Sequence, residues 1–204
     1  MITATKRPWL VAVWESEAQS PDIYGQGIFG QIITRTGGFP IGSLESVNII
    51  DDLGEVTTEE RQTDFIVNTQ MAGDQTNPKV IGIADGGFVV TYTSLDEDGK
   101  GIMAQRFNQF AVKVAGEFLV NTYQIGDQYE PQAERLSNDN FVIVWISDDQ
   151  DGDGSGIYGQ VYSPECDQIG TEFRVNTSTA KNQILPALTK LNGGSFVVLW
   201  ETHD

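Results

Sequence analysis

The chain has 204 residues, of which 29 are acidic and 12 are basic, and its formal net charge at pH 7 is −17. A chain this acidic is repelled by phosphate backbones and by anionic membrane surfaces, so we expect no nucleic-acid partner and no membrane insertion. The single cysteine, Cys166, excludes an intrachain disulfide, and its place in a turn predicts an inert surface thiol.

The first segment, residues 1–69, predicts strands in WLVAVWES, GIFGQII and DFIVNT. All three match strands that recur later, so we interpret this segment as a repeat that the chain enters late. Its first residues show neither a signal peptide nor an apolar run long enough to span a membrane. An insertion at about residues 36–62, which includes the acidic run DDLGEVTTEE, predicts a long surface loop.

Two complete repeats follow, at residues 70–122 and 123–177, and a shortened fourth repeat occupies residues 178–204. Each complete repeat contains QxxP, an apolar strand, an acidic loop, GIxxQ, and EF followed by VNT. The VNT tripeptides begin at positions 67, 120 and 175. A period of about 50 residues with several short strands in each unit is typical of a propeller blade.

The second strand of each repeat is a continuous apolar run, such as FVIVW, and no segment sustains a helical period. A strand that is apolar on both sides must be covered on both faces of its sheet. A radial stack of four-stranded blades covers both faces, whereas an isolated two-sheet sandwich covers one. We therefore predict an all-β fold of four-stranded repeats, a β-propeller or propeller-like array that is incomplete or open, with tandem β-sandwiches as the alternative.

The predicted strands do not close into whole blades, because the final strand, SFVVLW, has no predicted partner beyond it. An exposed apolar strand edge is a site of association. We therefore expect the open edges to pair with other repeats or with copies of the same protein.

The acidic run DDQDGDGSG, at residues 148–156, predicts a calcium site. Asp149, Asp151 and Asp153 stand at alternate positions, the glycines permit a tight turn, and Ser155 supplies a further oxygen ligand. Calcium fits better than zinc because no histidine or thiol is nearby. The alternative is a solvated acidic turn.

The corresponding loop of the second repeat contains Asp96 and Asp98 and is two residues shorter. It is either a second ion site or an ordinary polar turn. The first repeat offers only Glu15, Glu17 and Asp22 at this place, and we expect no ion there. Because the copies disagree, a bound calcium would stabilise single loops rather than take part in catalysis.

Amide side chains recur at three positions of the repeat: Gln31, Gln105 and Gln160 in the third strand, Asn68, Asn121 and Asn176 after the fourth, and Gln75, Gln128 and Gln183 before the prolines. We interpret them as partners for backbone groups between neighbouring repeats, in preference to a sugar-binding lining. Trp14, Trp145 and Trp200 share one repeat position with Tyr92 and are predicted to lie in the core. Asn176 also begins the sequence NTS, a candidate glycosylation site if a eukaryote secretes the chain.

Residue types used in catalysis are scarce. The only histidine, His203, lies one residue from the end of the sequence, which disfavours a Ser-His-Asp or Cys-His arrangement. The acids cluster in turns, and no pair of carboxylates placed for glycoside hydrolysis is identifiable. We therefore expect no enzymatic activity.

The pattern QxxP, GGFVVxW, DxDGxGIYGQ, EFxVNT resembles repeats of very large secreted and cell-surface proteins of bacteria and some aquatic protists. These repeats often stand beside haemolysin-type calcium-binding or cadherin-like modules, and the resemblance covers nearly the whole chain except residues 36–62. It implies an extracellular, calcium-loaded β protein of adhesive or filament-forming function. The acidic loop also looks like the calcium loops of integrin-type propellers. Only one repeat here has the full loop, and no secretion signal is visible.

Three functions follow from these observations, in order of preference. The first is a non-catalytic structural or adhesive repeat module of an extracellular surface protein or filament, stabilised by calcium. The alternative is a carbohydrate-binding, lectin-like propeller that uses loops and exposed aromatic residues such as Trp9, Tyr24 and Tyr158. A glycosidase-like enzyme ranks third, because it requires two carboxylates that face each other across a cleft.

Overall fold

The computed structural model describes residues 9–17, 25–34, 44–50, 56–62 and 64–203. Within these ranges the chain forms fifteen β-strands and one short 3₁₀ turn, without an α-helix. The strands are β1 (Trp9–Glu17), β2 (Gln26–Thr34), β3 (Leu44–Ile50), β4 (Val56–Gln62), β5 (Phe65–Ile66), β6 (Thr76–Gly82), β7 (Phe88–Leu95), β8 (Lys100–Phe107), β9 (Lys113–Leu119), β10 (Gln128–Arg135), β11 (Phe141–Asp148), β12 (Ser155–Tyr162), β13 (Gln168–Arg174), β14 (Asn182–Lys190) and β15 (Phe196–His203). No helix in the described ranges has the length and apolarity that a bilayer crossing requires.

Each complete repeat folds into one four-stranded antiparallel sheet. Its strands pair in chain order, as β6-β7-β8-β9 and as β10-β11-β12-β13. The first repeat contributes the three-stranded sheet β1-β2-β5, and the two-stranded sheet β14-β15 follows the third repeat. This order of pairing is the up-and-down connection of a propeller blade.

The sheets stack face to face, and the sheet of the third repeat is covered on both sides. Successive residues of β11 point to opposite faces and enter two cores: Phe141, Ile143 and Trp145 in one, and Val142, Val144 and Ile146 in the other. The first core is shared with the sheet of the second repeat, and the second core with β14 and β15. The prediction of an all-β, open, propeller-like array of four-stranded repeats is confirmed.

The first strand of each later repeat is interrupted by a β-bulge at its proline. The pairing register shifts at Pro78, Pro131 and Pro186. A proline cannot donate to the ladder, and a bulge is one of the few places where a sheet accepts it. The residue before each proline has a positive φ: Asn77 at 55°, Glu130 at 52° and Leu185 at 53°.

The insertion at about residues 36–62, predicted as a long loop, contains a β-hairpin. Its strands β3 and β4 pair in an antiparallel ladder that runs from Leu44 opposite Gln62 to Ile50 opposite Val56. Both strands contain β-branched residues, which favour extended backbone. The acidic run DDLGEVTTEE, which was predicted to lie in a loop, extends into β4.

Strand β15 lies at the edge of its sheet and pairs, among the described strands, with β14 alone. The side chains of Leu199 and Trp200 are 66% and 37% exposed, whereas Val144 and Trp145, at the same repeat positions of β11, are fully buried. The expected open edge is therefore present. Association through this edge stays a prediction.

We expect the substitution Leu199→Lys to reduce self-association, because a lysine on an edge strand opposes pairing with a further strand. Sedimentation velocity of the wild type and the variant over a concentration series measures this. Leu191→Lys is the matched control, since Leu191 is 48% exposed but lies in the turn after β14. Equal sedimentation profiles for the wild type and the Leu199 variant would contradict the association site.

Candidate functional site

A pair of buried amides joins each repeat to the next. At the junction before the third repeat, Asn121 Oδ1 accepts a hydrogen bond from the backbone N–H of Ile102 (2.7 Å), and Asn121 Nδ2 donates to Gln128 Oε1 (2.9 Å). Gln128 Nε2 in turn donates to the carbonyl of Ile125 (3.2 Å). The side chains of Asn121 and Gln128 are almost fully buried. We call this arrangement the amide clamp.

The amide clamp occurs at all three junctions with the same bonds. Asn68 pairs with Gln75 (3.0 Å) and Asn176 with Gln183 (2.9 Å), and each asparagine accepts the N–H at the third position of the preceding third strand. These amides therefore bind protein groups, and the sugar-lining interpretation does not apply to them. The glutamines of the third strands have another role. Gln105 and Gln160 lie where the ladder to the fourth strand breaks, and each donates to one carbonyl of its own strand and to one carbonyl of the fourth strand.

The candidate glycosylation site lies inside a clamp. Asn176 is 2% exposed. Its Nδ2 lies within hydrogen-bond distance of Asp151 Oδ2 (2.9 Å), the carbonyl of Ser178 (2.8 Å) and Gln183 Oε1 (2.9 Å). In the folded protein this nitrogen is enclosed, with no space for a glycan.

We expect Asn121→Ala to destabilise the protein by about 3 kcal/mol, because buried groups left without a hydrogen bond cost about 1–3 kcal/mol each. Urea unfolding followed by fluorescence measures the change. Asn138→Ala, at an exposed turn position, is the control and should change the free energy of unfolding by less than about 0.5 kcal/mol. A loss below about 1 kcal/mol for Asn121→Ala would show that the clamp is not important for stability.

The predicted calcium ligands have separate protein partners. Asp151 Oδ2 accepts from Asn176 Nδ2 (2.9 Å), whereas Asp153 Oδ2 accepts from the backbone N–H of Lys181 (3.3 Å). Asp149 has a φ of 56°, and its backbone N–H donates to the carbonyl of Gly154 (2.6 Å). The loop is therefore held by bonds that direct Asp151 and Asp153 to different neighbours.

Asp148 and Ser155, at the two ends of the loop, also form hydrogen bonds with protein groups. Ser155 Oγ donates to Asp148 Oδ1 (2.7 Å), and the hydroxyl of Tyr129 lies 3.2 Å from the same oxygen. In the second repeat, Asp96 Oδ1 accepts from the backbone N–H of Asp98 (3.1 Å). In the described ranges, no three acidic, histidine or cysteine side chains are grouped so that they could share an ion. One carboxylate oxygen in each loop, on Asp96 and on Asp151, is buried without a hydrogen-bond partner, and calcium stays a prediction.

The calcium prediction implies a higher melting temperature in calcium than in EDTA. The stabilisation should reach about 3 kcal/mol at a hundredfold excess of calcium over its dissociation constant, and Asp153→Asn should remove most of it. Asp167→Asn, outside the loop, is the control. Equal melting temperatures in calcium and EDTA would make the run a hydrogen-bonded turn.

The third repeat contains an open polar groove of about 460 Å³. It lies between the start of this repeat, the acidic loop and the outer strand β13. Its lining residues are Thr122, Tyr123, Gln150, Gln168, Gly170, Thr171 and Glu172. We call it the third-repeat groove.

Three neutral donors fix the carboxylate of Glu172 in the third-repeat groove. Glu172 Oε2 accepts from the backbone N–H (2.6 Å) and the hydroxyl (2.9 Å) of Thr122, and Glu172 Oε1 accepts from Gln150 Nε2 (2.6 Å). The other amide atom, Gln150 Oε1, is buried and has no hydrogen-bond partner in the described structure. A buried acceptor without a hydrogen bond costs free energy, and a ligand that donates a hydrogen bond to it would remove this cost.

The acidic loop makes this arrangement possible through its length. Six residues join β11 to β12, whereas four join β7 to β8 in the second repeat. The longer loop carries Gln150 across to β13. The acidic loop therefore contributes to the groove through Gln150, which lies between Asp149 and Asp151 in the sequence.

The equivalent space of the second repeat is filled by a lysine. Lys113 occupies the position of Gln168, and its Nζ donates to the carbonyl of Asn68 (3.2 Å) and to the hydroxyl of Thr69 (3.1 Å). Burial lowers the pKa of the Lys113 ammonium, and the nearby Glu117 opposes this shift. Glu117, the counterpart of Glu172, accepts from the backbone N–H of Thr69 (2.5 Å).

Tyr158 was predicted to be exposed, and this is wrong. It is 7% exposed because it lies opposite Trp145 in the ladder and faces the core shared with the second repeat. Burial and the charges of Asp151 and Glu172 raise the pKa of its phenol, while Arg174 lowers it. The phenol therefore stays protonated at neutral pH. The side chain of Trp9 and the whole of Tyr24 lie outside the described residues.

Tyr123 is the aromatic residue that the sequence analysis missed. It follows directly after a VNT tripeptide, where the second repeat has Gln70. This difference between two otherwise matching segments is the sequence feature that could have identified Tyr123.

Cys166 is half-buried, and burial raises the pKa of its thiol to about 11, so little reactive thiolate forms at neutral pH.

Comparison with solved structures gives two matches of similar strength. An endo-1,4-beta-xylanase from Bacteroides thetaiotaomicron VPI-5482 has a TM-score of 0.48 and 8% identity, over 97% of this chain and 84% of that one. An endo-arabinase from the same organism has a TM-score of 0.48 and 12% identity, over 98% of this chain and 67% of that one. No protein-family profile matches the chain, and no curated protein sequence matches it.

Both structural matches are named as enzymes, and this finding contradicts the two predictions of a non-catalytic structural or adhesive module and of no enzymatic activity. A likeness of this degree transfers neither a ligand nor a catalytic residue to this chain. The function of the groove has to be argued from its own side chains.

Proposed function

We propose that the protein is carbohydrate-active and binds a saccharide in the third-repeat groove. The observation that carries this proposal is the lining, which combines a carboxylate, two amides, two threonine hydroxyls and a tyrosine ring within one open space. Sites of this kind, with an aromatic surface and a few convergent polar groups, bind small polar ligands in a defined orientation.

The individual groups suit a polyhydroxylated ligand. Sugar hydroxyls are donors as well as acceptors, so they can satisfy the buried Gln150 Oε1 and the lone pairs of Glu172 that remain after its three protein bonds. The ring of Tyr123 offers an apolar face with a polar edge, which matches the C–H face and the hydroxyl rim of a sugar ring. The net charge of −17 disfavours anionic polysaccharides.

A glycosidase-like activity in the same groove is the second candidate. Glu172 supplies a carboxylate in the groove, and the acidic loop that carries Gln150 to the groove also contains Asp151. Glycosidases commonly use a pair of carboxylates around the scissile bond. Glu172 lines the groove itself, so it is the residue to test first for cleavage of a bound glycan.

Two further expectations belong to this proposal. An extracellular or cell-surface location is supported by the resemblance of the repeats to those of large secreted proteins. Calcium at the acidic loop is supported by the unpartnered oxygen of Asp151, and it would stabilise the loop that carries Gln150.

We expect Tyr123→Ala to weaken binding of soluble neutral oligosaccharides about tenfold, since an aromatic contact contributes about 0.5–1.5 kcal/mol beyond its buried area. Isothermal titration calorimetry against a panel of tetrasaccharides measures this. Gln70→Ala, the same position in the second repeat, is the matched control and should bind as the wild type does. A panel in which no oligosaccharide binds, or equal affinities for the wild type and Tyr123→Ala, would refute the proposal.

Chromatography of the same mixtures after long incubation tests cleavage. If bound oligosaccharides are shortened, Glu172→Gln should stop the cleavage while it preserves the shape of the carboxylate. Unchanged oligosaccharides would leave binding as the function and remove the glycosidase-like candidate.

A further inference from the structure

We infer that the third-repeat groove contains a subsite for an ammonium group, so that its preferred ligand is a saccharide that carries a protonated amine. The saccharide part rests on the proposed function, and the ammonium part rests on a comparison of two repeats of this chain. The second repeat shows how this position of the fold holds an ammonium group.

In the second repeat the ammonium group belongs to the protein. Lys113 Nζ reaches from the start of β9 to the carbonyl of Asn68 and the hydroxyl of Thr69. Glu117 binds the N–H of the same threonine and acts on the lysine as a nearby negative charge. One ammonium group is thus bound by a carbonyl and a hydroxyl, with a carboxylate nearby, and all three groups recur in the repeat.

In the third repeat these acceptors are kept and the lysine is absent. Asn121, Thr122 and Glu172 stand at the positions of Asn68, Thr69 and Glu117, and Glu172 again binds its threonine. Gln168 replaces the lysine and lines the groove. The space that the lysine fills in the second repeat is therefore open to a ligand.

The charges at the groove favour a cation. The three donors to Glu172 are all neutral. Arg174 lies two residues further along the same strand, and it forms no ion pair with Glu172 in the described structure. The unpartnered Gln150 Oε1 adds a second acceptor beside the carboxylate. A primary ammonium group has three donors, which suits a site of several oxygen acceptors.

The experiment compares three β-1,4-linked tetrasaccharides that differ only at C2: the glucosamine tetramer with an amine, its N-acetylated form, and cellotetraose with a hydroxyl. Calorimetry at pH 6 in low salt should give at least tenfold tighter binding for the glucosamine tetramer than for the other two. The advantage should shrink in 0.5 M NaCl, because salt screens an exposed charge pair. Equal affinities for the glucosamine tetramer and cellotetraose would overturn the ammonium subsite and leave saccharide binding intact.

Two lysine variants supply the structural control. Gln168→Lys should fill the groove as Lys113 fills the second repeat, and it should abolish binding of the glucosamine tetramer without lowering the melting temperature. Leu191→Lys, which adds the same charge at an exposed residue outside the groove lining, should bind within threefold of the wild type. A Gln168→Lys variant that still binds the tetramer as the wild type does would overturn the inference.

A simple diamine separates the two parts of the argument. If 1,5-diaminopentane binds the wild type but not Gln168→Lys, while no tetrasaccharide binds, the ammonium subsite stands and the proposed saccharide function fails. If neither the diamine nor any tetrasaccharide binds, both fail.

Discussion

The amide clamp is the interaction on which the rest of the structure depends. A carboxamide has an acceptor and two donor hydrogens, so one asparagine can bind a backbone N–H of one repeat and a glutamine of the next. Asn121 and Gln128 do this in a buried place, where an unsatisfied group is costly. The clamp sets each sheet against its neighbour, and the apolar strands β7 and β11 are then covered on both faces.

Because the clamp and the strands fix each repeat, the loops and outer strands can differ between copies. The second and third repeats have the same four-stranded sheet, yet one fills the space beside its outer strand with Lys113 and the other leaves a groove. Two changes produce the groove: a longer loop that brings Gln150 to Glu172, and Gln168 in place of the lysine. A small sequence difference on a constant scaffold thus creates a polar site.

Much of the fold could be predicted from the sequence because the repeat displays it several times. The continuous apolar run of β11 indicated a strand covered on both faces, and its alternate residues do enter two cores. The hairpin inside residues 36–62 was missed, since an acidic run conceals strand propensity. Tyr158 was predicted to be exposed, but it lies opposite Trp145 in the ladder and belongs to the same core.

The sequence by itself determined the repeat, the strand pattern and the amide positions, because each depends on local periodicity and on the few groups that an amide can bind. Only the tertiary structure decided where the acidic loop directs its side chains. Asp151 meets an asparagine 25 residues further along the chain, and Glu172 meets Thr122 at a separation of 50 residues. Contacts at such separations depend on how the sheets stack, so loop composition alone could not reveal that Gln150 completes the groove.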